Sequence, residues 1–190
     1  QRLQSPAARD AVRQAQMRIA ALALVHRSLY ENDDIQELEL QDLLGELCGM
    51  LEEVSAADHG AVQVSVTADS TRVPVDQAIP LALVVTEAVS NAFKHAFPSE
   101  RDGQIEVRLV NRGEHARLVV ADDGVGLAGG EEGGAGMGVT LMRMLAKQLG
   151  GNLTVVEAEG TRLELDFPLP AHETQSAPAG ESAARTAALA

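Results

Sequence analysis

Polar side chains on one otherwise apolar segment are the first candidates for chemistry in this sequence. From about residue 77 to 96 the chain is apolar enough for a buried helix, yet four polar residues share one face of it: Glu87, Asn91, Lys94 and His95. Buried polar groups are costly unless a partner satisfies them. The oxygens of Glu87 and Asn91 would suit Mg²⁺, and Lys94 and His95 would suit phosphate. The same spacing is also typical of a solvated face on a surface helix.

A second candidate directly follows a predicted strand, in the sequence Asp122-Asp-Gly124-Val-Gly126. Glycines at such a place allow tight turns and the close approach of a ligand. A carboxylate at the end of a strand can accept a hydrogen bond from an exocyclic amine such as that of adenine. An ordinary Asp-Gly turn would have the same sequence.

Glycines also mark the third and fourth candidates. Gly134, Gly136 and Gly138 lead into a helix predicted from residue 139, and the free N–H groups of a helix N-terminus favour phosphate. This loop is neither a P-loop, because no Gly-Lys-Ser/Thr follows, nor a dinucleotide fingerprint, because the spacing differs. A flexible connection is the alternative. Gly160-Thr161 joins the last two predicted strands, where a plain hairpin turn is the simpler interpretation.

Two periodicities predict the elements that position these residues. A seam with spacings of three and four predicts a first helix over residues 6–30: Val12, Ala15, Ile19, Leu22, His26 and Leu29. A second helix has its own apolar face: Leu40, Leu43, Leu44, Leu47, Leu51 and Val54. Alternation predicts strands near 62–67, 105–109, 117–121, 153–158 and 162–167. We expect turns at 31–34 and 69–74, with Asp76 as a helix N-cap.

Composition limits the classes of function. Among 190 residues there are three Phe, one Tyr and no Trp, so the core must be aliphatic. A net charge of −13 disfavours a nucleic-acid partner, and no apolar run is long enough to predict a transmembrane helix. We divide the chain into a helical segment at 1–56, a second domain at 57–170 and a disordered tail at 171–190.

In their order and spacing, the four candidates resemble the N, G1, G2 and G3 boxes of the GHKL superfamily of ATP-binding domains. That superfamily includes gyrase, heat-shock chaperone, histidine kinase and mismatch-repair types. The resemblance covers about residues 60–169 and narrows to sensor histidine kinases through Thr86-Glu-Ala-Val-Ser-Asn-Ala-Phe-Lys-His-Ala-Phe-Pro98 and the stretches 138–151 and 160–168. Residues 18–30 resemble the second helix of the dimerisation and phosphotransfer segment in a bacterial subfamily related to the HWE kinases.

This resemblance implies an α+β fold, a Bergerat two-layer α/β sandwich with a mixed sheet, preceded by an α-helical segment. It implies a bacterial, cytoplasmic sensor histidine kinase that binds Mg-ATP and transfers the γ-phosphate to a histidine. The phosphate would then pass to an aspartate on the receiver domain of a response regulator. The helical segment allows a homodimer, and we expect neither nucleic acid nor a membrane as a partner of these residues.

The resemblance also assigns roles by position. Asn91 is implied as the Mg²⁺ ligand, with Glu87 as the acid of the same box and the second residue of the metal and catalytic site. The other residues would bind ATP: Lys94 and His95 at phosphate, Asp122 at the adenine amine, Gly124 and Gly126 in its pocket, Gly136 and Gly138 at the lid and helix start, and Thr161 at the adenine end.

One motif of the subfamily is missing. Its phosphoaccepting histidine lies in a His-Arg-x-Lys-Asn-like motif before the stretch that resembles residues 18–30, and no such motif occurs in this sequence. We therefore expect the phosphoacceptor upstream of residue 1, and we interpret His26 as a packed residue. The alternatives are a GHKL ATPase in which Glu87 activates water, an anti-sigma-type serine kinase, and a non-catalytic binding module.

Overall fold

The computed structural model describes residues 6–30, 37–56, 62–98, 101–126 and 137–170. The helices in these ranges are α1 (Pro6–Tyr30), α2 (Leu40–Ala56), α3 (Val75–His95) and α4 (Met137–Gln148). The strands are β1 (Glu37–Glu39), β2 (Val62–Ala68), β3 (Arg72–Pro74), β4 (Gly103–Asn111), β5 (His115–Asp122), β6 (Asn152–Ala158) and β7 (Gly160–Pro168). The turn predicted at 31–34, most of the glycine-rich loop and the predicted tail lie outside the described residues.

Five strands form one mixed sheet in the order β2-β4-β5-β7-β6. The β2 strand runs parallel to β4, and the other neighbours are antiparallel, which confirms the predicted mixed sheet and the hairpins at its centre and edge. Apolar side chains alternate along β2, β4 and β7, whereas β5 has three consecutive buried apolar residues, Leu118, Val119 and Val120. On β4, for example, Ile105 and Val107 are buried whereas Arg108 is exposed.

The helices cover the apolar face of this sheet. A single cluster of buried side chains extends from α1 through α2 and α3 to the end of β7. Its largest fully buried members include Leu47 from α2, Leu81 from α3, and Leu165 and Phe167 from β7. The fold class predicted from the sequence, two layers preceded by a helical segment, is therefore confirmed, and the helical segment packs directly on α3. None of the helices in the described ranges has the length and apolar character that crossing a bilayer requires.

The buried face of α1 differs from the predicted seam. Its buried side chains are Met17, Ala21, Leu24 and Val25. In contrast, Val12, Ile19 and Leu22 of the predicted seam are 45%, 66% and 40% exposed. The predicted helix is confirmed, but α1 has apolar residues on two faces, and periodicity does not tell which face packs against the rest of the chain. Most of the predicted seam, from Val12 to Leu22, forms an uncovered apolar stripe, whereas Leu29 at its end packs against the core. The interpretation of His26 as a packed residue was wrong, because this side chain is exposed.

Three local predictions also need correction. The turn expected at 69–74 contains β3, which pairs with β1, because a three-residue strand is too short to show alternation. Asp76 is not the N-cap of α3: the helix begins at Val75 after Pro74, whose fixed φ of −68° precedes the first turn without a side-chain cap. Val54 is 44% exposed, so the apolar face of α2 ends at Leu51.

Candidate functional site

Asn91 lies near the end of α3, a helix most of whose residues are buried. Thr86, Glu87 and Ser90 on the same helix are buried. The Thr86 hydroxyl donates a hydrogen bond to the Ala82 carbonyl oxygen at 2.8 Å. Asn91 is half-buried, and its amide has no hydrogen-bond partner within the part of the chain that the structure describes. Its oxygen is thus available to a ligand.

Asp122 is the last residue of β5, and backbone groups from two other places fix its carboxylate. Oδ1 accepts a hydrogen bond from the Gly124 N–H at 3.0 Å and another from the Thr161 N–H at 3.1 Å. Charge-assisted bonds of this kind are stronger than neutral ones. Because both bonds go to Oδ1, Oδ2 is the oxygen that remains for a ligand.

Glycines permit the close approach that makes these bonds. A Cβ at Gly160 would lie 1.9 Å from the Asp122 carbonyl oxygen, and a Cβ at Gly124 would lie 2.4 Å from the Ala96 carbonyl oxygen. The Val125 N–H donates to that same Ala96 carbonyl at 2.9 Å. The loop after β5 is thereby attached to the C-terminal end of α3.

The N-terminus of α4 faces the polar residues of α3. Gly138 is its second residue, and a Cβ there would lie 3.0 Å from Glu87 Oε2 and 3.3 Å from Asn91 Nδ2. The positive end of the α4 dipole therefore lies beside Asn91, which is an arrangement suited to an anion. Gly136, predicted for the same loop, lies outside the described residues.

A cavity of about 410 Å³ collects most of the predicted residues. Its polar and glycine lining consists of Asn91, His95, Asp122, Gly126, Gly138 and Thr161. Its apolar lining consists of Ala88, Ala92, Ala96, Val120, Val139, Met142, Val155 and Leu163. An apolar slot with few polar groups, one of them a fixed carboxylate, matches a flat heterocycle that carries an amine.

Lys94 lies apart from this cavity. It lines a neighbouring cavity of about 350 Å³ between α1 and α3, together with Asp10, Arg13 and Ser55. His95 lines both cavities. The structure therefore brings His95, but not Lys94, to the side of Asp122 and Asn91.

Glu87 has partners that the sequence did not reveal. It is fully buried, and Arg18 of α1 binds both of its oxygens, with Nε at 2.5 Å from Oε1 and one terminal nitrogen at 2.9 Å from Oε2. Gln14 Nε2 adds a third bond to Oε2 at 3.2 Å. Hydrogen bonding to Glu87 raises the pKa of Arg18. The contact joins distant parts of the chain, and its only local signal is the four-residue spacing of Gln14 and Arg18.

Comparison with known proteins agrees with this geometry. The model of the histidine kinase-, DNA gyrase B- and HSP90-like ATPase family matches residues 76–171, and a histidine kinase family model matches residues 1–55. The chain belongs to the histidine kinase-, DNA gyrase B- and HSP90-like ATPase family. Its predicted resemblance to sensor histidine kinases is thus confirmed.

Two relatives of this chain are named as histidine kinases. Blue-light-activated histidine kinase 2 of Erythrobacter litoralis is 32% identical over 167 residues, covering 83% of this chain and 47% of the relative. Sensor histidine kinase PdtaS of Mycobacterium tuberculosis is 29% identical, covering 85% of this chain and 33% of the relative. The chain thus spans about half or less of these curated relatives.

Among solved structures, the histidine kinase domain of a blue-light activated histidine kinase from Erythrobacter litoralis superposes with a TM-score of 0.73 at 29% identity. The match covers 82% of this chain and 75% of that domain. Because the match covers 82% of this chain, the structural similarity extends beyond the sheet and α3.

Proposed function

We propose that this chain is the catalytic region of a bacterial sensor histidine kinase, which binds Mg-ATP and transfers the γ-phosphate to a histidine. The phosphate then passes to an aspartate of a response-regulator receiver domain in the cytoplasm. The observation that carries the proposal is that a fixed carboxylate, Asp122, and a polar amide, Asn91, line one apolar cavity that the N-terminus of α4 adjoins.

At the adenine end, Asp122 Oδ2 accepts a hydrogen bond from the exocyclic amine. The Thr161 and Gly124 N–H groups hold Oδ1, and so set the carboxylate in place before the base arrives. The base lies between apolar walls that include Val120 and Met142. Gly126 provides space in the wall at the loop after β5, where its φ of +74° favours glycine.

At the phosphate end, the N–H groups near Gly138 and the imidazole of His95 bind phosphate oxygens. Mg²⁺ fits this site because in nucleotide sites it takes one or two protein oxygens and completes its shell with phosphate and water. The Asn91 oxygen is the one we assign to it, since Arg18 and Gln14 already bind the oxygens of Glu87. When bound, Mg²⁺ neutralises charge on the phosphates. Lys94 lies one cavity away and reaches them only by changing its conformation.

Transfer itself requires little covalent work from the protein. The bond from the γ-phosphorus to the bridging oxygen breaks as a bond to the acceptor imidazole nitrogen forms, and ADP leaves. The chain contributes by holding the triphosphate in a fixed orientation and by compensating its charge. His26 is a poor acceptor, because it lies eight residues beyond Arg18, or about 12 Å along α1. Its exposed ring contacts Tyr30 at a centroid distance of 4.8 Å.

The test supplies the chain with γ-labelled ATP and a separate histidine-containing helix. We expect label in the helix in an acid-labile, alkali-stable form, as a phosphorus–nitrogen bond requires. Asn91→Ala should lower the rate by at least roughly 100-fold, because loss of a residue that only supports a metal ligand already costs about 10- to 100-fold. Asn152→Ala, on the exposed edge of β6, is the matched control and should leave the rate unchanged. Free phosphate released without the helix, and no label in it, would instead indicate an ATPase.

A further inference from the structure

A buried ion pair joins the helical segment to the nucleotide cavity. The Arg18 side chain is 27% exposed and Glu87 is fully buried, and two hydrogen bonds connect the guanidinium to the two carboxylate oxygens. Gln14, one turn earlier on α1, donates to Oε2. A buried carboxylate is costly without a partner, and α1 supplies the partner of Glu87.

The same carboxylate borders the proposed phosphate end. Glu87 lies one turn before Asn91 on α3, and the Cβ position of Gly138 lies 3.0 Å from Oε2. A negative charge at this place would repel a triphosphate, and a free carboxylate oxygen there would attract a divalent cation. Both effects are suppressed while a guanidinium binds the two oxygens.

We propose that Arg18 is a positioning residue of the nucleotide site: α1 supplies it to neutralise Glu87 and to withhold that carboxylate from Mg²⁺. Displacement of α1 from α3 exposes an unpaired carboxylate next to Asn91 and the start of α4. The position of the helical segment thereby sets how strongly nucleotide binding depends on the metal. This inference rests on the function proposed above, and it concerns the charge balance of the site.

The experiment measures the affinity of the whole chain for a non-hydrolysable ATP analogue, by calorimetry, with Mg²⁺ and with a chelator. The quantity of interest is the affinity with Mg²⁺ divided by the affinity with the chelator. Arg18→Gln should raise this ratio by about tenfold relative to wild type, because metal-free triphosphate is repelled while Mg²⁺ gains a ligand. A loss of structure alone would weaken both affinities together and leave the ratio unchanged.

Three further variants test the assignment to this pair. Arg18→Lys keeps the positive charge, so the ratio should return close to that of wild type. The double variant Arg18→Gln with Glu87→Gln removes the unpaired charge and should do the same. Arg27→Gln is the matched control, since Arg27 is on the same helix and pairs with Glu46 at the surface, and its ratio should be that of wild type.

Gln14→Ala removes only the longest of the three bonds, so it should fold even if Arg18→Gln does not, and it should raise the ratio about twofold. If Arg18→Gln folds and its ratio equals that of wild type, the inference is overturned. If Arg18→Gln does not fold, a wild-type ratio in Gln14→Ala overturns it instead. A rise in Arg27→Gln equal to that in Arg18→Gln would also overturn it. Failure of the wild-type chain to bind the analogue at all would instead overturn the proposed function, and the inference with it.

Discussion

Single residues of this molecule owe their chemistry to backbone groups and burial that surround them. Asp122 is an example: its acceptor oxygen is selected because two N–H groups from other segments occupy the neighbouring one. Cys48 is the opposite case, a side chain that its environment makes inert. Burial, helped by the nearby charge of Glu52, raises the pKa of Cys48 to about 12.

We therefore expect the Cys48 thiol to resist alkylation at pH 8 in the native protein and to react fully in denaturant. Because the native state keeps the thiol proton to higher pH than the unfolded chain, the contribution of Cys48 to stability should fall as the pH rises from about 9 toward 12. Iodoacetamide labelling followed by mass spectrometry measures the first effect. Rapid labelling of the folded chain would show that α2 opens readily.

At the scale of elements, the cavity is formed where three backbone segments meet without side chains between them. The loop after β5 binds the end of α3 through Val125 and Ala96, and the β6–β7 turn approaches Asp122 at Gly160. The start of α4 reaches α3 at Gly138. A substitution that disturbs one of these three backbone contacts should therefore change both the shape of the cavity and the free energy of unfolding.

Gly124→Ala should therefore destabilise the fold by about 1–3 kcal/mol, because its Cβ would overlap the Ala96 carbonyl, which is backbone and cannot turn aside. It should also weaken binding of an ATP analogue. Gly49→Ala on α2 is the control: its Cβ meets no atom, and alanine should stabilise the helix by about 0.5–1 kcal/mol. Urea unfolding of both variants measures the difference. Equal stabilities would show that the loop is not held against α3.

The helices and strands that could be predicted are those whose sequence patterns lie within one short segment of the chain. The alternation on β2 and β4 and the apolar run of α3 are such patterns, and so is the end of α4 at Gly150, whose φ is +67°. Pairing of β1 with β3 and the contact of Arg18 with Glu87 could not be predicted, since both join residues far apart in the chain. The buried face of α1 was missed because two of its faces are apolar.

The site residues also include some that the sequence placed correctly and one, Lys94, that it did not. The residue types and their order predicted the group at Asp122, Asn91, Gly138 and Thr161, which the fold gathers around one cavity. Helical spacing placed Lys94 with them, but spacing does not specify which of two adjacent cavities a residue near the end of α3 will line. The assigned roles of these residues remain predictions.

At the scale of the whole molecule, the uncovered stripe on α1 is an apolar surface that the described residues leave without packing. Val12, Ile19 and Leu22 remain substantially exposed, although the opposite face of α1 belongs to the common core. Contiguous exposed apolar surface marks interaction sites when it is larger than a monomer ordinarily exposes. The stripe therefore suits the homodimer that the resemblance to kinase helical segments predicts.

Ile19→Glu should weaken self-association of the chain by at least about tenfold while changing the free energy of unfolding by less than about 0.5 kcal/mol, since the side chain is 66% exposed. Gln148→Glu adds the same charge on exposed α4 and should change neither. Analytical ultracentrifugation over a concentration series provides the comparison. A wild-type chain that stays monomeric throughout would contradict the assignment of the stripe.

The most direct test of the central claim compares two adjacent aspartates by calorimetric titration with an ATP analogue. Asp122→Asn presents an amide to the adenine amine, so the affinity should fall by roughly 10- to 100-fold, the effect of losing a hydrogen bond to a charged group. Asp123→Asn is the control, because Asp123 is exposed and binds the Gln104 N–H at 2.7 Å. It should retain wild-type affinity. Equal affinities of the two variants would contradict the claim that this cavity binds the adenine of ATP.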